Sequence, residues 1–471
     1  MNTGKKLSLY IHIPFCLSKC EYCDFFSVVN RNVDFGVSER QGTDFGGSDC
    51  TRDDCGSSDC VKRVPDLYVD ALCNEIVYRV KKYEPDSLRS VYIGGGTPSL
   101  LDEKQIKKIC DAIFLCRDAF CKKGSDFEDG KSIYECEKTF CGDEKSDFEF
   151  TIEVNPDDVT KELLNCLDKN GINRISCGIQ SCTDACLKFV NRRAGKNENL
   201  RAMELISRYW KGKKSFDLIC GLPYETEKSF RESLDTVILY NPDHISMYSL
   251  TIEDETALGR KCNSGVLDYD YNFADELWLS SKTYLEKNNY CQYEVSNFCK
   301  SGYECIHNLV YWNHEDYLGC GSGATGTVYD SDGRGHRWTN TTDIKKYIEF
   351  WTENAGRDLN NTKCVDGDVG QQNCDVQDFE KQILSVCKVE TIDLEDSVFE
   401  YFMMGLRKAS GITEKDFFNK FKKPLPAGII KIFEKWQKKG HAEIITEEND
   451  RRFFLTKEGL LFLNRFLEEI N

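Results

Sequence analysis

The sequence predicts an α/β fold: an open, partial (β/α)6 barrel resembling a shortened TIM barrel, followed by an α+β extension and a winged-helix-like module. Two observations predict the barrel. Strand-like and helical segments alternate along the first half of the chain, and each strand ends near a glycine, a proline or a polar side chain. Such alternation favours right-handed βαβ units and a parallel sheet. The length of 471 residues allows one large domain with one or two smaller ones.

Six segments have the composition of buried strands, at residues 7–14, 90–94, 148–155, 174–180, 215–221 and 244–251. Amphipathic segments of helical period lie between several of them. Residues 66–82 place Leu72, Ile76 and Val80 near one face, and residues 104–115 repeat the pattern. Six strand–helix units are fewer than the eight of a closed barrel, so the predicted barrel is open.

We expect three parts, with the barrel at residues 1–250, the extension at 251–390 and the C-terminal module at 391–471. The module has the element order of a winged helix, with helices at 397–408, 413–421 and 427–439, strands at 441–446 and 452–456, and a last helix. Winged-helix folds often bind DNA, but acidic and basic residues roughly balance here. We therefore interpret it as a packing module.

Two polar segments, residues 28–64 and 116–146, interrupt the barrel and are interpreted as surface-loop insertions, which cost little stability. Their cysteines include Cys50, Cys55, Cys60, Cys121, Cys136 and Cys141. A zinc site is conceivable in either insertion, although the first three cysteines lack a matching second pair. Residues 360–376 are predicted to form a linker or an exposed loop.

Composition narrows the class of protein. The formal net charge of −17 disfavours a nucleic-acid or anionic-membrane binder. No signal peptide and no run of roughly 20 apolar residues is visible, so we expect a cytoplasmic protein. The 25 cysteines are odd in number and scattered, which predicts free thiols instead of a disulfide framework.

Cys16, Cys20 and Cys23 form a C-x3-C-x2-C motif directly after the first predicted strand. Thiolates suit iron–sulfur clusters or zinc. Three thiolates on a four-iron cluster leave one iron open to the amino and carboxylate groups of S-adenosylmethionine (SAM), whose reductive cleavage gives a 5′-deoxyadenosyl radical. A zinc knuckle or three incidental cysteines are the alternatives.

Further polar and glycine residues fall at the ends of the predicted strands. Residues 94–99, Gly-Gly-Gly-Thr-Pro-Ser, follow the second strand, where glycines let the backbone approach a ligand closely. Glu153, Gln180 and Asp217 lie at or near the ends of later strands. Because strand ends share one rim of a barrel, we expect these side chains to converge on one ligand.

With these residues in view, the chain resembles radical SAM proteins of the oxygen-independent coproporphyrinogen III oxidase group, and within it most of all the haem chaperone branch. The matching segments are residues 10–16, 94–99, 153–156, 178–181, 190–192, 217–223, 293–298 and 307–312. The resemblance implies a 4Fe-4S cluster on the three cysteines, with Tyr22 beside it. It implies SAM contacts from Tyr10, Gly95, Gly96, Thr97, Glu153, Gln180, Arg192 and Asp217. An arginine at position 192 can form a forked pair with the SAM carboxylate.

The resemblance also implies a cargo and partners. A haem chaperone takes up haem and passes it to apoproteins, among them membrane-bound respiratory proteins, and an electron donor such as flavodoxin or ferredoxin and a homodimer are further implications. The alternative is an oxidase that decarboxylates coproporphyrinogen III. Phe25 stands where the oxidases carry a further cysteine, and only fifteen residues precede Cys16. Both features favour a chaperone, and whether the protein is an enzyme stays open.

His307, Tyr311 and Trp312 belong to a His-Asn-x-x-Tyr-Trp motif similar to that of the haem chaperones. Imidazole is a good axial ligand for haem iron, and the aromatic rings offer flat apolar surface. The alternative is a core histidine packed among aromatic rings. Thr325 departs from the family, which usually has histidine there. A zinc-stabilised nucleic-acid adaptor is a third interpretation, which the acidic charge disfavours.

Overall fold

The structure is a computed structural model that describes residues 6–29, 64–121, 148–355, 379 and 381–470, with the side chains of 116–121 left out. The two predicted insertions lie mostly outside these residues, and so do the linker at 360–376 and the cysteines Cys50, Cys55, Cys60, Cys136 and Cys141. Helix α2 below continues to Cys121, into the segment predicted as the second insertion.

The strands, in chain order, are β1 (Lys6–Ile13), β2 (Phe15–Cys16), β3 (Val28–Val29), β4 (Ser87–Gly95), β5 (Glu149–Val154), β6 (Arg174–Gln180), β7 (Lys213–Cys220), β8 (His244–Ser249), β9 (Cys291–Gln292), β10 (Asn297–Cys299), β11 (Tyr317–Cys320), β12 (Thr325–Tyr329), β13 (Gly335–Asn340), β14 (Cys387–Ile392), β15 (Ile412–Thr413), β16 (Ala442–Glu447) and β17 (Asp450–Leu455). The helices are α1 (Asp66–Tyr83), α2 (Glu103–Cys121), α3 (Lys161–Lys169), α4 (Asp184–Phe189), α5 (Lys196–Tyr209), α6 (Glu227–Leu239), α7 (Ala257–Asn263), α8 (Tyr271–Lys287), α9 (Ile306–Trp312), α10 (Ile344–Glu353), α11 (Leu394–Gly405), α12 (Glu414–Phe421), α13 (Ala427–Gln437), α14 (Lys457–Leu460) and α15 (Leu463–Ile470).

The six predicted barrel strands are present and parallel. They lie side by side in the order β1-β4-β5-β6-β7-β8, and helices connect them. Two of these helices begin at a threonine whose side chain accepts a hydrogen bond from the first turn, Thr160 before α3 and Thr226 before α6. The α/β partial barrel predicted from the sequence is therefore confirmed.

Strand β1 shows how alternation separates core from barrel interior. Leu7, Leu9 and Ile11 are buried in the large hydrophobic core. Ser8 alternates with them, and its hydroxyl accepts a hydrogen bond from Ser90 on β4 at 2.9 Å. Because successive side chains of a strand point to opposite faces, the second set lines the inside of the barrel. This interior is polar, and it leads to the functional residues described below.

The sheet continues beyond the six barrel strands on both sides. Strand β11 pairs in parallel with β1, and β12, β13 and β14 follow in antiparallel order. On the other side β10 and β9 add to β8. The largest sheet in the described part of the chain thus has twelve strands, and the extension adds strands to both edges of the barrel.

A buried ion pair within α1 is connected to the extension by hydrogen bonds. The Glu75 carboxylate accepts two hydrogen bonds at 3.1 Å from Arg79, one turn further along the helix. It also accepts from the side chains of Asn340 at 2.8 Å and Tyr347 at 2.6 Å, and from the Gly321 amide at 2.8 Å. Both charged side chains are almost completely buried, so every one of these partners offsets a desolvation cost.

The C-terminal segment has its own sheet, in the order β15-β17-β16, and its own hydrophobic core. Phe402, Phe433 and Phe453 are among the core residues. The predicted helices and strands are present in the expected order, whereas the winged-helix resemblance and the three domain boundaries stay predictions. The segment contacts the extension where the Ala409 amide donates to the Tyr293 carbonyl at 3.0 Å.

Over the ranges that the structure describes, none of the helices combines the length and the apolar character needed to cross a bilayer.

Candidate cofactor site

Backbone hydrogen bonds hold both ends of the loop that carries the three cysteines. Strand β2, which ends at Cys16, pairs with β3, and the Val28 amide donates to the Pro14 carbonyl at 2.7 Å. Between these ends the loop contacts the segment after α4, because the Glu21 amide donates to Val190 at 3.0 Å and Asn191 donates to the Lys19 carbonyl at 2.9 Å. The loop therefore has a defined position on the rim of the barrel.

The three thiols are half-buried, and polar groups lie next to two of them. The Thr97 hydroxyl is 3.4 Å from the Cys16 sulfur, and a guanidinium nitrogen of Arg192 is 3.7 Å from the Cys20 sulfur. Burial raises the pKa of the Cys23 thiol. No three His, Cys, Asp or Glu side chains in the described ranges converge on one metal ion. A cubane does not require that convergence, because each thiolate binds its own iron.

The glycine segment after β4 fits closely under the cysteine loop. Gly95 has a φ of +116°, and a Cβ there would lie 2.6 Å from the His12 ring. A Cβ on Gly96 would lie 2.7 Å from the Phe15 carbonyl oxygen, and the Gly96 amide donates to Ile13 at 2.8 Å. Only glycine fits both positions, so this segment supports the start of the loop.

Glu153, at the end of β5, accepts one hydrogen bond from β4 and one from the glycine segment that follows it. The Tyr92 hydroxyl donates to one carboxylate oxygen at 2.9 Å, and the Gly95 amide donates to the other at 3.1 Å. Burial, with the negative charge of Asp217 nearby, raises the pKa of Glu153 to about 7. This carboxyl group therefore changes its protonation near neutral pH and can accept from a cationic ligand once ionised.

The pKa of Glu153 predicts a pH dependence of stability. The folded protein binds this proton more tightly than the unfolded chain, so wild type loses stability as the pH rises from the unfolded value near 4.5 to about 7. Glu153→Gln removes the titration. We expect its free energy of unfolding, relative to wild type, to increase over this range and to be constant above it. Urea denaturation at a series of pH values measures the difference, and parallel curves for the two proteins would contradict the prediction.

Asp217, on β7, is held by three serine hydroxyls from three neighbouring strands. Ser176 donates to it at 2.8 Å, Ser215 at 3.0 Å and Ser246 at 2.7 Å. Burial raises the pKa of Asp217, and the hydroxyl donors oppose that rise. The carboxylate is thus oriented by neutral donors in the polar interior of the barrel.

The hydrogen bonds extend from Asp217 toward the extension. Ser215 lies 2.8 Å from Nδ1 of His244, and Nε2 of the same ring lies 2.9 Å from the Tyr293 hydroxyl. When Asp217 is ionised, Ser215 donates its one proton to the carboxylate and accepts from Nδ1. Nε2 then accepts from Tyr293, and burial keeps the ring neutral by lowering the pKa of His244.

Gln180 and Arg192 each present a buried polar atom without a partner. In the described structure neither Oε1 of Gln180 nor Nε of Arg192 has a hydrogen bond. Nη2 of Arg192 donates to the Asn155 side chain at 2.7 Å and to the Gly178 carbonyl at 2.6 Å, and Nη1 is the nitrogen that lies 3.7 Å from the Cys20 sulfur. Unpaired buried polar atoms are costly, so these two mark a place where a polar ligand can bind.

Tyr10 lies inside the barrel, where its ring is 6.4 Å from those of Tyr92 and His307. Its hydroxyl lies 2.9 Å from Nδ1 of His12, whose Nε2 lies 2.9 Å from the Phe26 carbonyl oxygen. A carbonyl can only accept, so Nε2 carries the proton and Tyr10 donates to Nδ1. This pair connects the barrel interior to the end of the cysteine loop.

His307 lies at the start of α9 and is buried in the barrel interior. Its Nδ1 is 2.9 Å from the Ser90 hydroxyl, its Nε2 is 3.0 Å from the Tyr311 hydroxyl, and its ring stacks on Tyr92 at 5.2 Å. Burial lowers its pKa to about 3, so the ring is neutral. In this conformation His307 packs as a core histidine, and iron can reach Nε2 only after Tyr311 moves.

Thr325, which stands where the family usually has histidine, lies on β12. Its hydroxyl forms a hydrogen bond of 3.0 Å with the hydroxyl of Thr339 on the neighbouring strand β13.

The structure brings most of the predicted site residues to one end of the barrel and adds others that the sequence analysis missed. The additional residues are His12, Tyr92, Asn155, Ser176, Ser215 and Ser246. Strand alternation could have indicated Ser215, because it stands two residues before Asp217 on the same face. Ser176 and Ser246 lie on other strands, and only the register reveals them.

Comparison with known proteins gives consistent results. The profile of the radical SAM superfamily matches residues 10–237. The heme chaperone HemW of Bacillus subtilis is 28% identical over 97% of this chain and 97% of its own length. The HemW of Escherichia coli is 32% identical over 76% of this chain and 79% of its own length.

Among solved structures, the coproporphyrinogen III oxidase HemN of Escherichia coli, a radical SAM enzyme, superposes with a TM-score of 0.65 at 19% identity. The match covers 99% of this chain and 90% of that one. At this identity the likeness shows a shared fold and does not decide between activities.

Proposed function

The chain belongs to the radical SAM superfamily and, within it, to the HemW family, and from this premise we propose that it binds haem as cargo and transfers it to apoproteins. The observation that carries the proposal is the similarity to a named haem chaperone along 97% of both chains. Such a match includes the barrel, the segment of α9 and the C-terminal segment. The barrel alone would not distinguish a chaperone from an enzyme.

The cofactors of the proposal are a 4Fe-4S cluster and SAM. Cys16, Cys20 and Cys23 would hold the cluster, which supplies an open iron site and a transferable electron. The soft donor set of three half-buried thiols fits this group.

For SAM, the two unpaired atoms of Gln180 and Arg192 and the carboxylates of Glu153 and Asp217 fit its polar groups. A guanidinium suits a carboxylate, and carboxylates suit an ammonium group or ribose hydroxyls. Tyr10, Gly95, Gly96 and Thr97 complete the proposed contacts. Tyr22 is part of the loop that carries the three cysteines, and it packs against the hydrophobic cluster that includes Val190, the residue after α4. None of these residues is assigned a catalytic step.

We propose that haem binds at the segment of α9, with His307 as an iron ligand once Tyr311 has moved. The expected result is that His307→Ala weakens the Soret band in a haem titration. Tyr311→Phe should strengthen haem binding, because it removes the hydroxyl that now occupies Nε2 at 3.0 Å. The measurement is the haem dissociation constant of each variant on anaerobically purified protein.

His336→Ala is the matched control, since this histidine is exposed and should leave the Soret titration unchanged. An unchanged Soret band in His307→Ala would remove the ligand assignment. If Tyr311→Phe and His307→Ala weaken binding equally, the aromatic packing of α9 matters and not the imidazole nitrogen.

The oxidase is the alternative function, and one assay separates it from the chaperone. Incubation with coproporphyrinogen III, SAM and a reductant should release no protoporphyrinogen. Phe25, which stands where the oxidases have a cysteine, is 66% exposed and offers no thiol to substrate or cluster. Sustained turnover in this assay would overturn the proposal.

The partners are part of the proposal. We propose membrane-bound respiratory apoproteins as haem acceptors, a flavodoxin or ferredoxin as electron donor, and a homodimer as the assembled form. We also propose a cytoplasmic location, which is in keeping with the free thiols at every cysteine whose side chain the structure describes. Transfer of haem to a purified apoprotein, followed by its absorption spectrum, tests the first of these.

A further inference from the structure

Two cysteines lie directly opposite each other at one edge of the large sheet. Strands β9 and β10 are antiparallel, and their register pairs Cys291 with Cys299. Among the strand pairs that the structure describes, this is the one register that sets two cysteines opposite one another. Directly paired residues of an antiparallel sheet point to the same face, so the two thiols are neighbours.

The backbone hydrogen bonds determine how close the two residues are. The Tyr293 amide donates to the Asn297 carbonyl at 3.1 Å, which makes that position a hydrogen-bonded pair. Hydrogen-bonded and open pairs alternate along the ladder, so Cys291 and Cys299, two positions further, form a hydrogen-bonded pair again. Such pairs have Cα atoms about 5.5 Å apart. This separation is inside the range of about 4.4–6.8 Å that a disulfide requires.

The two thiols differ in their exposure to solvent. Cys291 is exposed on β9, the outermost strand of the sheet, whereas Cys299 is only 2% exposed. Burial raises the pKa of Cys299 to about 12. A dissolved oxidant therefore reaches Cys291 first, whereas burial shields the Cys299 thiol from direct contact with the oxidant.

We propose that Cys291 and Cys299 are a redox-modification site that forms a reversible disulfide with peroxides as the oxidant. The Cys291 thiolate attacks a peroxide oxygen, the O–O bond breaks, and the products are a sulfenic acid and water or an alcohol. The Cys299 thiol then attacks the sulfenic sulfur, an S–S bond forms, and its proton leaves with the displaced hydroxyl as water. Overall two thiols lose two electrons and two protons, and one peroxide is reduced.

The disulfide would close a loop of residues 291–299 that connects three parts of the protein. Tyr293, in this loop, contacts His244 in the barrel through its hydroxyl at 2.9 Å and accepts from the Ala409 amide through its carbonyl at 3.0 Å. Glu294 forms an isolated bridge with Lys408 of the C-terminal segment. Oxidation would thus tighten the junction between barrel and C-terminal segment, and a reductant would release it.

Peptide mass spectrometry on the full-length protein tests the proposal directly. Trypsin cleaves after Lys287 and Lys300, so one peptide carries both cysteines and contains no other. The protein is treated with hydrogen peroxide, quenched in acid and alkylated in denaturant. We expect the peptide to lose the mass of two hydrogen atoms and to take up no alkylating reagent. Dithiothreitol before alkylation should restore two labelled cysteines.

Control variants make the test specific. Cys291→Ser should leave Cys299 fully alkylated after peroxide treatment, because the buried thiol then has no partner. Cys262→Ser, at another partly exposed cysteine, should form the disulfide as wild type does. The proposal is overturned if the wild-type peptide stays doubly alkylated, or if Cys291 proceeds to sulfinic acid while Cys299 stays a free thiol. This readout does not depend on haem, SAM or the cluster.

Discussion

Replacing Cys20 by alanine is expected to abolish the iron–sulfur cluster and SAM binding with it. A cubane held by three thiolates loses a third of its protein ligands, and the Cys20 sulfur is also the one that Arg192 approaches at 3.7 Å. Anaerobically purified wild type should contain about four irons per chain, and the variant well below one. Iron analysis and SAM binding by calorimetry measure both losses.

The matched control for this variant is Cys166→Ala. Cys166 is a buried cysteine on α3, whose sulfur accepts from the Asn170 side chain at 3.5 Å, remote from the cysteine loop. Its replacement should leave the iron content unchanged. Full iron retention in Cys20→Ala would refute the assignment of the cluster ligands, and one zinc per chain in wild type would favour the adaptor alternative.

Replacing Glu75 by alanine is expected to destabilise the protein by about 3–5 kcal/mol, the range for breaking a buried ion pair from one side. The variant leaves the Arg79 guanidinium buried without its carboxylate. It also removes the carboxylate that accepts hydrogen bonds from the Asn340 side chain, the Tyr347 hydroxyl and the Gly321 amide. Chemical denaturation followed by circular dichroism gives the free energy of unfolding.

Lys107 and Asp111 provide the control, because they form an ion pair at the same helical spacing on the surface of α2. Asp111→Ala should change stability by less than about 0.5 kcal/mol, since exposed pairs contribute little. The double variant Glu75→Leu with Arg79→Met removes both charges, and it should recover much of the stability lost by Glu75→Ala. Equal losses at the buried and the exposed pair would contradict the prediction.

The sequence predicted the barrel well because its signals are local. Each of the six strands, such as residues 174–180, is a short apolar run with a polar or glycine end, and the structure has β6 at those bounds. Strand β11 has four residues and no such pattern, and its place beside β1 depends on pairing between residues about 300 positions apart. Contacts of that range leave no periodic trace in the sequence, so the growth of the sheet to twelve strands could not be predicted.

The residues of the candidate site also fall into two groups, those that the sequence could predict and those that only the structure reveals. Glu153, Gln180 and Asp217 could be predicted to lie together because strand ends meet on one rim, whereas Arg192 was expected from the family resemblance alone. The three serines around Asp217 come from separate strands, and serine is too common a residue to signal such a role by itself. The burial of His307 between Ser90 and Tyr311 was one of two interpretations that its sequence allowed. Register and packing, which the motif does not encode, decide its present partners.

The hydrogen bonds from Tyr293 through His244 and Ser215 to Asp217 all point the same way. Such an oriented series can deliver a proton inward to the carboxylate, each donor passing its own proton forward as it receives the next. One such transfer reverses every hydrogen bond of the series and moves the His244 proton from Nδ1 to Nε2. The series therefore carries a single proton to Asp217, and its hydroxyls and imidazole tautomer must return to their first arrangement before it can carry another.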